Sequence, residues 1–464
     1  MEPFAPIETD TIAAVSTPSG VGGIAVIRIS GPRALGIVGA AWKGKDLNSV
    51  ASHSATLGRY VATDGTLLDE AVATVFRGPK SFTGEDTVEI SVHGSRWIQR
   101  EVVNDLIRRG ARSAGRGEFT KRAFLNGRLD LAQAEGVADL INSSSHAAHQ
   151  LAMTQTRGRF SKEFDMLRAK LIEFASLLEL ELDFSEEDVE FADRERLREL
   201  ATTILAKVDR LAKSYSSGAV LKEGIPVVIA GVPNAGKSSL LNLLLDEEKA
   251  IVTDIPGTTR DTIEDTREID GILYRFIDTA GLRESSDTVE AIGIERAKAK
   301  LQEARIVVWI IDPTSTLSPQ LEELNSFKQE RSDAKIVVLL NKSDLVKNAG
   351  IEGSREGLSD FETLPFSAKT GEGFDDLKEK LREMAMDGFN PEEELIVTNG
   401  RHYEALVRGG ESLRRALEGI DSGISGDFIA QDVREALHHL GTITGSVTTP
   451  DLLASIFTRF CIGK

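Results

Sequence analysis

Apolar and polar residues alternate in short runs along the first quarter of the chain, which is the pattern of half-buried β-strands. The stretch TIAAVSTPSGVGGIAVIRISG contains two such runs around a glycine-rich turn, and DEAVATVFRG and EDTVEISVHG follow it. WIQREVVNDLIRRGA instead repeats its apolar residues every three or four positions, which predicts a helix. Residues 1–125 are therefore predicted to form an α/β domain.

Helical spacing dominates two separate stretches of the chain. It runs through residues 126–219, for example in SKEFDMLRAKLIEFASLLELELDF, and it returns in residues 386–464, for example in RHYEALVRGGESLRRALEGI. The acidic run FSEEDVEFADRERLREL is interpreted as a solvated connection that leads into a helix. The two stretches predict one discontinuous helical domain with another domain inserted between its segments.

Residues 220–385 have a third pattern. IPVVIAG, LYRFIDTAG, RIVVWIID, AKIVVLLNKSD and ETLPFSAKTG are short apolar runs that end in polar loops, and helical segments separate them. Buried parallel strands give such runs, and their loops meet at the carboxyl edge of the sheet. The fold expected for the whole chain is multidomain α/β, with a Ras-like P-loop domain whose sheet is doubly wound and mostly parallel.

Composition and charge narrow the possible functions. The chain has 464 residues and a net charge of −18, which argues against broad, unspecific binding of nucleic acid. The basic stretch LIRRGARSAGRGEFTKR, residues 106–122, is either a local RNA-binding patch or a solvated loop. Membrane spans and a signal peptide are not expected, and the single cysteine cannot form an internal disulfide, so a cytoplasmic location is predicted.

GVPNAGKS, residues 231–238, has the spacing of a P-loop, and it follows a strand and opens a helix as that motif requires. Backbone N–H groups of such a loop point at phosphate oxygens. Lys237 is expected to reach the β- and γ-phosphates, and Ser238 is expected to bind Mg²⁺. The residues expected to bind the nucleotide here are Asn234, Ala235, Gly236, Lys237, Ser238 and Ser239.

Three further motifs end later strands. In DTAG, residues 278–281, Asp278 would hold Mg²⁺ through water and the Gly281 N–H would sense the γ-phosphate. In NKSD, residues 341–344, Asp344 can accept hydrogen bonds from the guanine N1–H and exocyclic amine, which adenine does not offer. SAK, residues 367–369, would close over the base. The nucleotide-binding residues expected from these motifs are Asp278, Thr279, Ala280, Gly281, Asn341, Lys342, Asp344, Ser367, Ala368 and Lys369.

The four motifs in this order resemble the translation-factor-like GTPases, and Asp344 disfavours an ATPase. Many GTPases place a glutamine after DTAG to orient the attacking water, but here that position is Leu282. Another group must therefore orient the water. The nearby carboxylates that could do so, each of which could equally be a helix-surface residue, are Glu284, Asp287, Glu290 and Glu295.

The P-loop residue Asn234 is either a turn residue or a ligand for a monovalent cation beside the phosphates. VTDIPGTTRD, residues 252–261, is the candidate switch I, in which Thr259 would be a Mg²⁺ ligand. Backbone oxygens of Thr253, Ile255 and Thr258 could complete a cage with Asn234. A K⁺ ion there could neutralise developing charge where an arginine finger does so in other GTPases.

Stretches outside the GTPase motifs make the resemblance more specific. DTIAAVSTPSGVGGIAVIRISG, SFTGEDTVEISVHG, GEFTKRAFLNGRLDLAQAEGVADLI and the terminal FCIGK, together with GVPNAGKSSLLN, GTTRDTIED and DTAGLRE, closely resemble the tRNA-modification GTPases of the MnmE (TrmE) family. The resemblance runs from about residue 10 to residue 464.

This resemblance implies a K⁺-activated GTPase that helps to add a carboxymethylaminomethyl group at C5 of wobble uridine 34 in certain tRNAs. It implies a flavoprotein partner, MnmG (GidA), in a heterotetramer-type complex, and a homodimer that forms through the N-terminal domain. A 5,10-methylene- or 5-formyl-tetrahydrofolate bound in that domain would supply the one-carbon unit.

The family resemblance also assigns roles by position. Glu290 would orient the water; Asn234, Thr253, Ile255 and Thr258 would hold K⁺; and Mg²⁺ would bind Ser238 and Thr259. Folate would bind Arg28, Glu89, Arg128 and Lys464. Family members often have lysine at the position of Arg128, and a planar guanidinium hydrogen-bonds differently from an ammonium.

Two alternatives remain open from the sequence. The chain could be a regulatory GTP-binding switch in ribosome assembly, although no GXXG loop of the KH type is present. Cys461 could be a nucleophile activated by Lys464. The preferred interpretation is that IFTRFCIGK forms a last helical turn ended by Gly463, in which Cys461 packs and Lys464 reaches the folate.

Overall fold

The computed structural model describes residues 10–183, 194–246, 264–278, 304–331, 334–346, 357–386 and 395–463. The chain divides into two compact units. The first comprises Met1–Ile141, Thr154–Ala206 and Ala405–Lys464, and the second comprises Asn142–Met153 and Lys207–Glu404.

The first unit contains a seven-stranded sheet. Its strands are β1 (Ile12–Val15), β2 (Gly22–Ser30), β3 (Trp42–Gly44), β4 (Ser54–Val61), β5 (Leu67–Phe76), β6 (Thr87–Gly94) and β7 (Arg112–Ser113). Their order is β3-β4-β5-β6-β2-β1-β7, and only β1 and β7 run parallel. The alternating runs predicted as strands are therefore present.

The helices confirm the multidomain α/β class. They are α1 (Ala34–Ala41), α2 (Arg96–Arg108), α3 (Glu118–Leu125), α4 (Leu131–Asn142), α5 (His146–Thr156), α6 (Arg159–Asp183), α7 (Arg194–Glu223), α8 (Lys237–Asp246), α9 (Leu317–Glu330), α10 (Phe374–Met386), α11 (Gly400–Asp421), α12 (Gly426–Thr444) and α13 (Pro450–Phe457). None of these described helices is long and apolar enough to cross a bilayer.

One face of the seven-stranded sheet is covered by α1 and α2. Ile27 and Ile29 of β2 and Ile90 of β6 belong to the same apolar cluster as Val38 and Val102 from these two helices. The alternate strand residues face the other side, where Arg28 of β2 lies directly opposite Glu89 of β6. Period-two alternation thus separates the core of this unit from the face that carries Arg28 and Glu89.

Helix α6 packs against α12 in the first unit. Its fully buried positions Phe164, Leu167, Leu171, Phe174 and Leu178 recur at intervals of three and four, so they form one stripe along the helix. Each such side chain contributes about 1.5–3 kcal/mol when it is removed from water. Truncating Phe174 to alanine would therefore break this packing most directly.

The second unit contains a six-stranded, doubly wound sheet. Its strands are β8 (Ile225–Gly231), β9 (Glu264–Ile269), β10 (Ile272–Asp278), β11 (Ile306–Ile311), β12 (Lys335–Leu340) and β13 (Glu362–Pro365). Their order is β13-β12-β11-β8-β10-β9, and only β9 is antiparallel to its neighbour. All of β8 and β11 is buried, because the sheet has an apolar cluster on each face.

Candidate functional site

The carboxyl end of β8 leads into a tight loop before α8. Gly231 has φ +135°, and a Cβ there would lie 2.3 Å from the Ile310 carbonyl oxygen of the neighbouring strand. Only glycine fits this approach. Lys237 opens α8 and is buried, and its ammonium donates hydrogen bonds to the carbonyls of Gly231 (2.9 Å) and Val232 (2.8 Å). The lysine therefore lies across the loop that would hold phosphates.

The loops after β12 and β13 are joined to one another. Asn341 Oδ1 accepts a 2.9 Å hydrogen bond from the Ala368 N–H, and Ser367 Oγ donates to Asp344 Oδ1 at 2.8 Å. The Ser343 N–H donates to the Phe366 carbonyl at 3.0 Å. These bonds bring the NKSD and SAK motifs together and hold the Asp344 carboxylate in place at one edge of the sheet.

The same asparagine also ties this pair of loops to the P-loop. Asn341 Nδ2 donates to the Ala235 carbonyl at 2.6 Å. Gly236, with φ +107°, passes so close that a Cβ on it would lie 2.1 Å from Asn341 Nδ2. The loops predicted to bind the phosphates and the base, more than a hundred residues apart in sequence, are therefore directly connected.

Only some of the other residues predicted to bind the nucleotide lie in the described part of the chain. Asp278 ends β10, and its backbone pairs with Ile229 on β8, two residues before the P-loop begins. Asn234 is exposed with φ +62°, and Ser238, Ser239 and Lys369 are exposed. The predicted residues that lie outside the described part of the chain are Thr253, Ile255, Thr258, Thr259, Thr279, Ala280, Gly281, Glu290 and Lys464.

One residue at this edge fits magnesium. Ser238, whose hydroxyl oxygen is a hard ligand, is exposed in the first turn of α8. Mg²⁺ prefers hard oxygen ligands and is usually held by few protein groups together with phosphates and water. No cluster of three or more His, Cys, Asp or Glu side chains suited to a metal occurs among the described residues.

Asp312, which sequence reasoning did not identify, also belongs to this edge. It follows β11 and is buried, and its Oδ2 lies 2.5 Å from Lys342 Nζ of the NKSD motif. Burial opposes ionisation of this carboxyl, but hydrogen bonds from Lys342 and Thr314 outweigh it and lower the pKa of Asp312. No motif marks this position in the sequence.

A second candidate site lies on the face of the first unit's sheet that carries Arg28 and Glu89. Glu89 Oε1 accepts a hydrogen bond from Arg28 Nε (2.9 Å) and forms an ion pair with Arg28 Nη2 (2.7 Å). The guanidinium carbon also stands 5.4 Å from the ring centre of Phe82 and 5.5 Å from that of Phe119. Phe119 is fully buried, whereas Phe82 is 37% exposed, so one ring forms the floor and the other an accessible wall.

Arg128 approaches the loop that carries Phe82. A Cβ on Gly84 would lie 3.2 Å from Arg128 Cγ, and Asn126 Nδ2 donates to the Thr83 carbonyl at 2.7 Å. The stem of Arg128 therefore runs along the loop at residues 82–84, and the residue itself is exposed. Three of the four predicted folate residues, Arg28, Glu89 and Arg128, belong to this unit; the fourth, Lys464, lies outside the described residues.

The tail before Lys464 is docked beside this face. Ser16 Oγ donates to the Gly463 carbonyl at 3.0 Å, the Gly117 N–H donates to the Cys461 carbonyl at 3.3 Å, and Ile462 forms an antiparallel bridge with Arg116. Ser16 follows β1, the neighbour of the strand that carries Arg28.

Two details of the predicted tail are wrong. The last helix, α13, ends at Phe457 rather than continuing to Gly463, and Cys461 is exposed rather than packed. Phe460 takes the buried position and contacts Phe457 with ring centres 5.6 Å apart. The residues after α13 form a turn, in which the Phe460 N–H donates to the Phe457 carbonyl at 3.2 Å, so helical spacing does not determine the position of Cys461.

The basic stretch at residues 106–122 supplies ion pairs within the unit. Arg122 is 4% exposed and contacts Asp10, Glu85 and Glu118, and Arg112 contacts Glu118 and Asp10. Burial would raise the pKa of Glu118, but hydrogen bonds from Arg112, the Gly115 N–H and Arg122 outweigh it and lower that pKa to about 2. These cations therefore fix β7 and α3 in place.

Comparisons with known proteins cover almost the whole chain. A family model described as the MnmE helical domain matches residues 131–461, and one described as GTP-binding protein TrmE N-terminus matches residues 11–128. A Cytophaga hutchinsonii protein called tRNA modification GTPase MnmE is 51% identical over 462 residues, 98% of each chain. A Christiangramia forsetii protein with the same description is 49% identical over 472 residues, 98% of this chain and 99% of that one.

Among solved structures, the FeoB G-domain from Methanococcus jannaschii is similar at 25% identity. The alignment covers 35% of this chain and 99% of that chain with a TM-score of 0.27, which is too low to establish a shared arrangement. The two curated relatives therefore provide the evidence for the family, and the alignments with them cover residues of both units.

Proposed function

This chain belongs to the MnmE family of tRNA-modification GTPases, and we propose on that basis that it hydrolyses GTP in order to modify tRNA. The target would be C5 of wobble uridine 34, where a carboxymethylaminomethyl group is added together with the flavoprotein MnmG (GidA). The one-carbon unit would come from 5,10-methylene- or 5-formyl-tetrahydrofolate.

The proposed GTP binding rests on the hydrogen bonds that join Asn341 to Ala235 and to Ala368. They hold the P-loop and the two base loops at fixed distances, so a nucleotide can contact all of them at once. Asp344, held by Ser367, would accept hydrogen bonds from the guanine N1–H and amine. Lys237 would exchange its two loop carbonyls for the β- and γ-phosphates.

Hydrolysis is attack of water on the γ-phosphorus, with GDP and phosphate as products. Glu290 would orient the water, since Leu282 has no hydrogen-bonding group. Ser238 and Thr259 would hold Mg²⁺, and Asn234 with Thr253, Ile255 and Thr258 would hold K⁺; when bound, these cations neutralise charge on the phosphates. The exposed position of Asn234 in the P-loop fits that role.

Folate would bind at the face that carries Arg28 and Glu89. A carboxylate can accept hydrogen bonds from the amide-like donors of a pterin, and Arg128 and Lys464 suit the anionic glutamate tail. The 37% exposed ring of Phe82 can contact a flat heterocycle. Docking of Gly463 beside β1 supports a place for Lys464 near this face.

A second copy of the chain is the proposed occupant of the open sheet face. Leu57 and Ile24 are 73% and 70% exposed. Leu57 lies opposite Val72, which the register connects through β6 to Val26, and Ile24, Val26 and Arg28 are alternate residues of β2. All of them therefore lie on the face that carries Arg28. Exposed apolar residues on one face of a sheet are typical of an interface. The homodimer would then complex with MnmG as a heterotetramer.

Nucleoside analysis of tRNA tests the proposal most directly. Cells that lack this protein should lose the modified wobble uridine, and the wild-type gene should restore it. Unchanged tRNA nucleosides would overturn the proposed modification, whatever the GTPase rate.

A folate-binding experiment distinguishes a tRNA-modifying GTPase from a GTP-binding switch in ribosome assembly. We expect 5-formyl-tetrahydrofolate to raise the melting temperature of the purified protein. The absence of such a shift, together with tight ribosome binding, would favour the switch.

A further inference from the structure

The buried carboxylate after β11 is fully engaged by its neighbours. The side chain of Asp312 is 9% exposed, and its Oδ1 accepts hydrogen bonds from the Thr314 N–H (2.9 Å) and hydroxyl (2.6 Å). Its Oδ2 lies 2.5 Å from Lys342 Nζ. The carboxylate therefore links a turn at the end of β11 to the NKSD loop at the end of β12.

The backbone of this carboxylate residue is fixed as well. The amide of Gln320, a residue that is 2% exposed, accepts from the Asp312 N–H at 2.9 Å and donates to the Asp312 carbonyl at 3.0 Å. It also donates to Ser315 Oγ at 2.9 Å. A buried amide satisfied at both ends does not rotate freely, so helix α9 holds Asp312 in one position.

Lys342 reaches this carboxylate from a constrained backbone. Its φ is +64°, in the left-handed region that few residues other than glycine adopt. The preceding residue is anchored, since the Asn341 N–H donates to the Ile311 carbonyl at 2.9 Å. The direction of the lysine stem is therefore set at both ends: by the loop backbone and by Asp312.

We propose that Asp312 is a positioning residue for nucleotide binding: it fixes the Lys342 side chain so that its hydrocarbon stem forms one wall of the guanine site. The inference rests on the proposed binding of GTP. A lysine side chain loses considerable rotamer freedom when it is ordered. Ordering before the nucleotide arrives removes that cost from binding.

This role has a specific signature. Lys342 is next to the base-recognition residues and not next to the γ-phosphate, so GTP and GDP should be affected equally. Removing the contact between Asp312 and Lys342 should raise Kd and KM, whereas kcat at saturating GTP should change much less. A purely structural role would instead lower kcat and the melting temperature together.

The test uses the full-length chain and a fluorescent GDP together with a non-hydrolysable GTP analogue. Asp312→Asn should weaken both by about tenfold, the scale of one charge-assisted hydrogen bond. Asp375→Asn is the matched control, because that carboxylate is 93% exposed and pairs along α10 with Lys378. It should bind both nucleotides as the wild type does.

A double-mutant cycle with Lys342→Met shows whether Asp312 acts through the lysine. The single Lys342→Met variant and the double variant should bind GDP equally weakly. Additive losses, or wild-type affinity in Asp312→Asn, would overturn the inference. If Asp312→Asn fails to fold, the Lys342→Met variant alone still decides, since unchanged GDP affinity there refutes the role of the lysine wall. Failure of the wild type to bind GDP would instead overturn the proposed GTP binding and this inference with it.

Discussion

Arg28 and Glu89 lie directly opposite each other on neighbouring strands, with Arg28 Nη2 2.7 Å from Glu89 Oε1. The guanidinium is also flanked by the rings of Phe82 and Phe119. Cross-strand pairing fixes the carboxylate, and the two rings restrict the plane of the guanidinium. Both charged groups are thus oriented before any ligand arrives.

Glu89→Gln should abolish most of the rise in melting temperature that 5-formyl-tetrahydrofolate causes. The substitution keeps the shape but removes the charge that fixes Arg28 and would accept from the pterin, and a hydrogen bond to a charged group contributes about 1.5–3 kcal/mol. Differential scanning fluorimetry measures the effect. Glu101→Gln, which removes a carboxylate paired with Arg100 on α2, should keep the full rise. A full rise in Glu89→Gln would contradict the folate assignment.

Gly463→Ala should detach the tail. Gly463 has φ +93°, and a Cβ there would lie 2.0 Å from the Val15 carbonyl oxygen, which no small adjustment relieves. We expect loss of folate binding and of tRNA modification with GTP hydrolysis unchanged, measured by fluorimetry, nucleoside analysis and phosphate release. The control is Gly65→Ala, at a positive-φ glycine with open space around it.

Cys461→Ser should leave both folate binding and modification intact. Loss of modification in Cys461→Ser with folate binding retained would show instead that the exposed thiol has a chemical role.

Gly236→Ala should prevent tight binding of GTP. Its Cβ would lie 2.1 Å from Asn341 Nδ2, and φ +107° is strained for alanine, so the bond between Asn341 and Ala235 must break. Strain of this kind costs about 1–3 kcal/mol, or roughly ten- to a hundredfold in affinity. Isothermal titration with GDP measures it, and Gly371→Ala, a positive-φ glycine in open space, serves as the comparison. Equal affinities of Gly236→Ala and Gly371→Ala for GDP would contradict the proposal that the phosphate and base loops form one site.

Replacing KCl by NaCl should slow GTP turnover strongly. Neither a glutamine after DTAG nor an evident arginine finger is present in the sequence, so the cation would supply charge stabilisation. Arginine fingers contribute about 10³–10⁵ in rate, which sets the scale for their substitute. Equal rates of phosphate release in the two salts would exclude this role.

Glu290→Ala provides the comparison for the salt experiment. It should lower turnover in KCl while leaving the affinity for GTP intact, because the proposed role of the carboxylate is to orient water and not to bind the nucleotide. A large loss of nucleotide binding would show that Glu290 has a different role.

Glu118→Gln should destabilise β7 and α3 by about 3 kcal/mol at neutral pH, the scale for breaking a buried ion pair. Because the pKa of Glu118 is lowered from its usual 4.5 to about 2 in the folded chain, its stabilisation is complete above about pH 4.5 and is lost as the pH falls toward 2. Hydrogen exchange of peptides from residues 112–125 measures this. The variant should exchange faster than wild type at pH 7 and no differently near pH 2, whereas the exposed Glu199→Gln should match wild type throughout.

Much of the candidate nucleotide site could be predicted from the sequence because each motif is contiguous. Asn341 and Ser367 directly follow apolar runs, and Lys237 stands at a fixed spacing after Gly231, so placing the strands also places these residues. Asp312 belongs to no motif, and its partner lies thirty residues away, where β12 ends beside β11. Its role depends on sheet order, which apolar spacing does not specify.

The candidate folate face shows the same limit of prediction from sequence. Arg28 and Glu89 were predicted from family resemblance, but the ring of Phe82 was not, because nothing in the sequence shows that residue 82 stands over residue 28. Alternation shows which residues of one strand share a face, whereas loop paths and the register between distant strands depend on the complete packing. The exposure of Cys461 was missed for a related reason: helical spacing was assumed for the tail, but the last helix ends at Phe457 and a turn follows it.

Docking of the tail also has a consequence for biosynthesis. Ser16 and Gly463 are 447 positions apart, so at about 5–20 residues per second the second is added roughly 20 to 90 s after the first. For that time β1 can pair with β2 and β7, but Ser16 and Gly117 lack the contacts that the tail makes with them. These contacts between distant parts of the chain are therefore among the last features of the first unit to form.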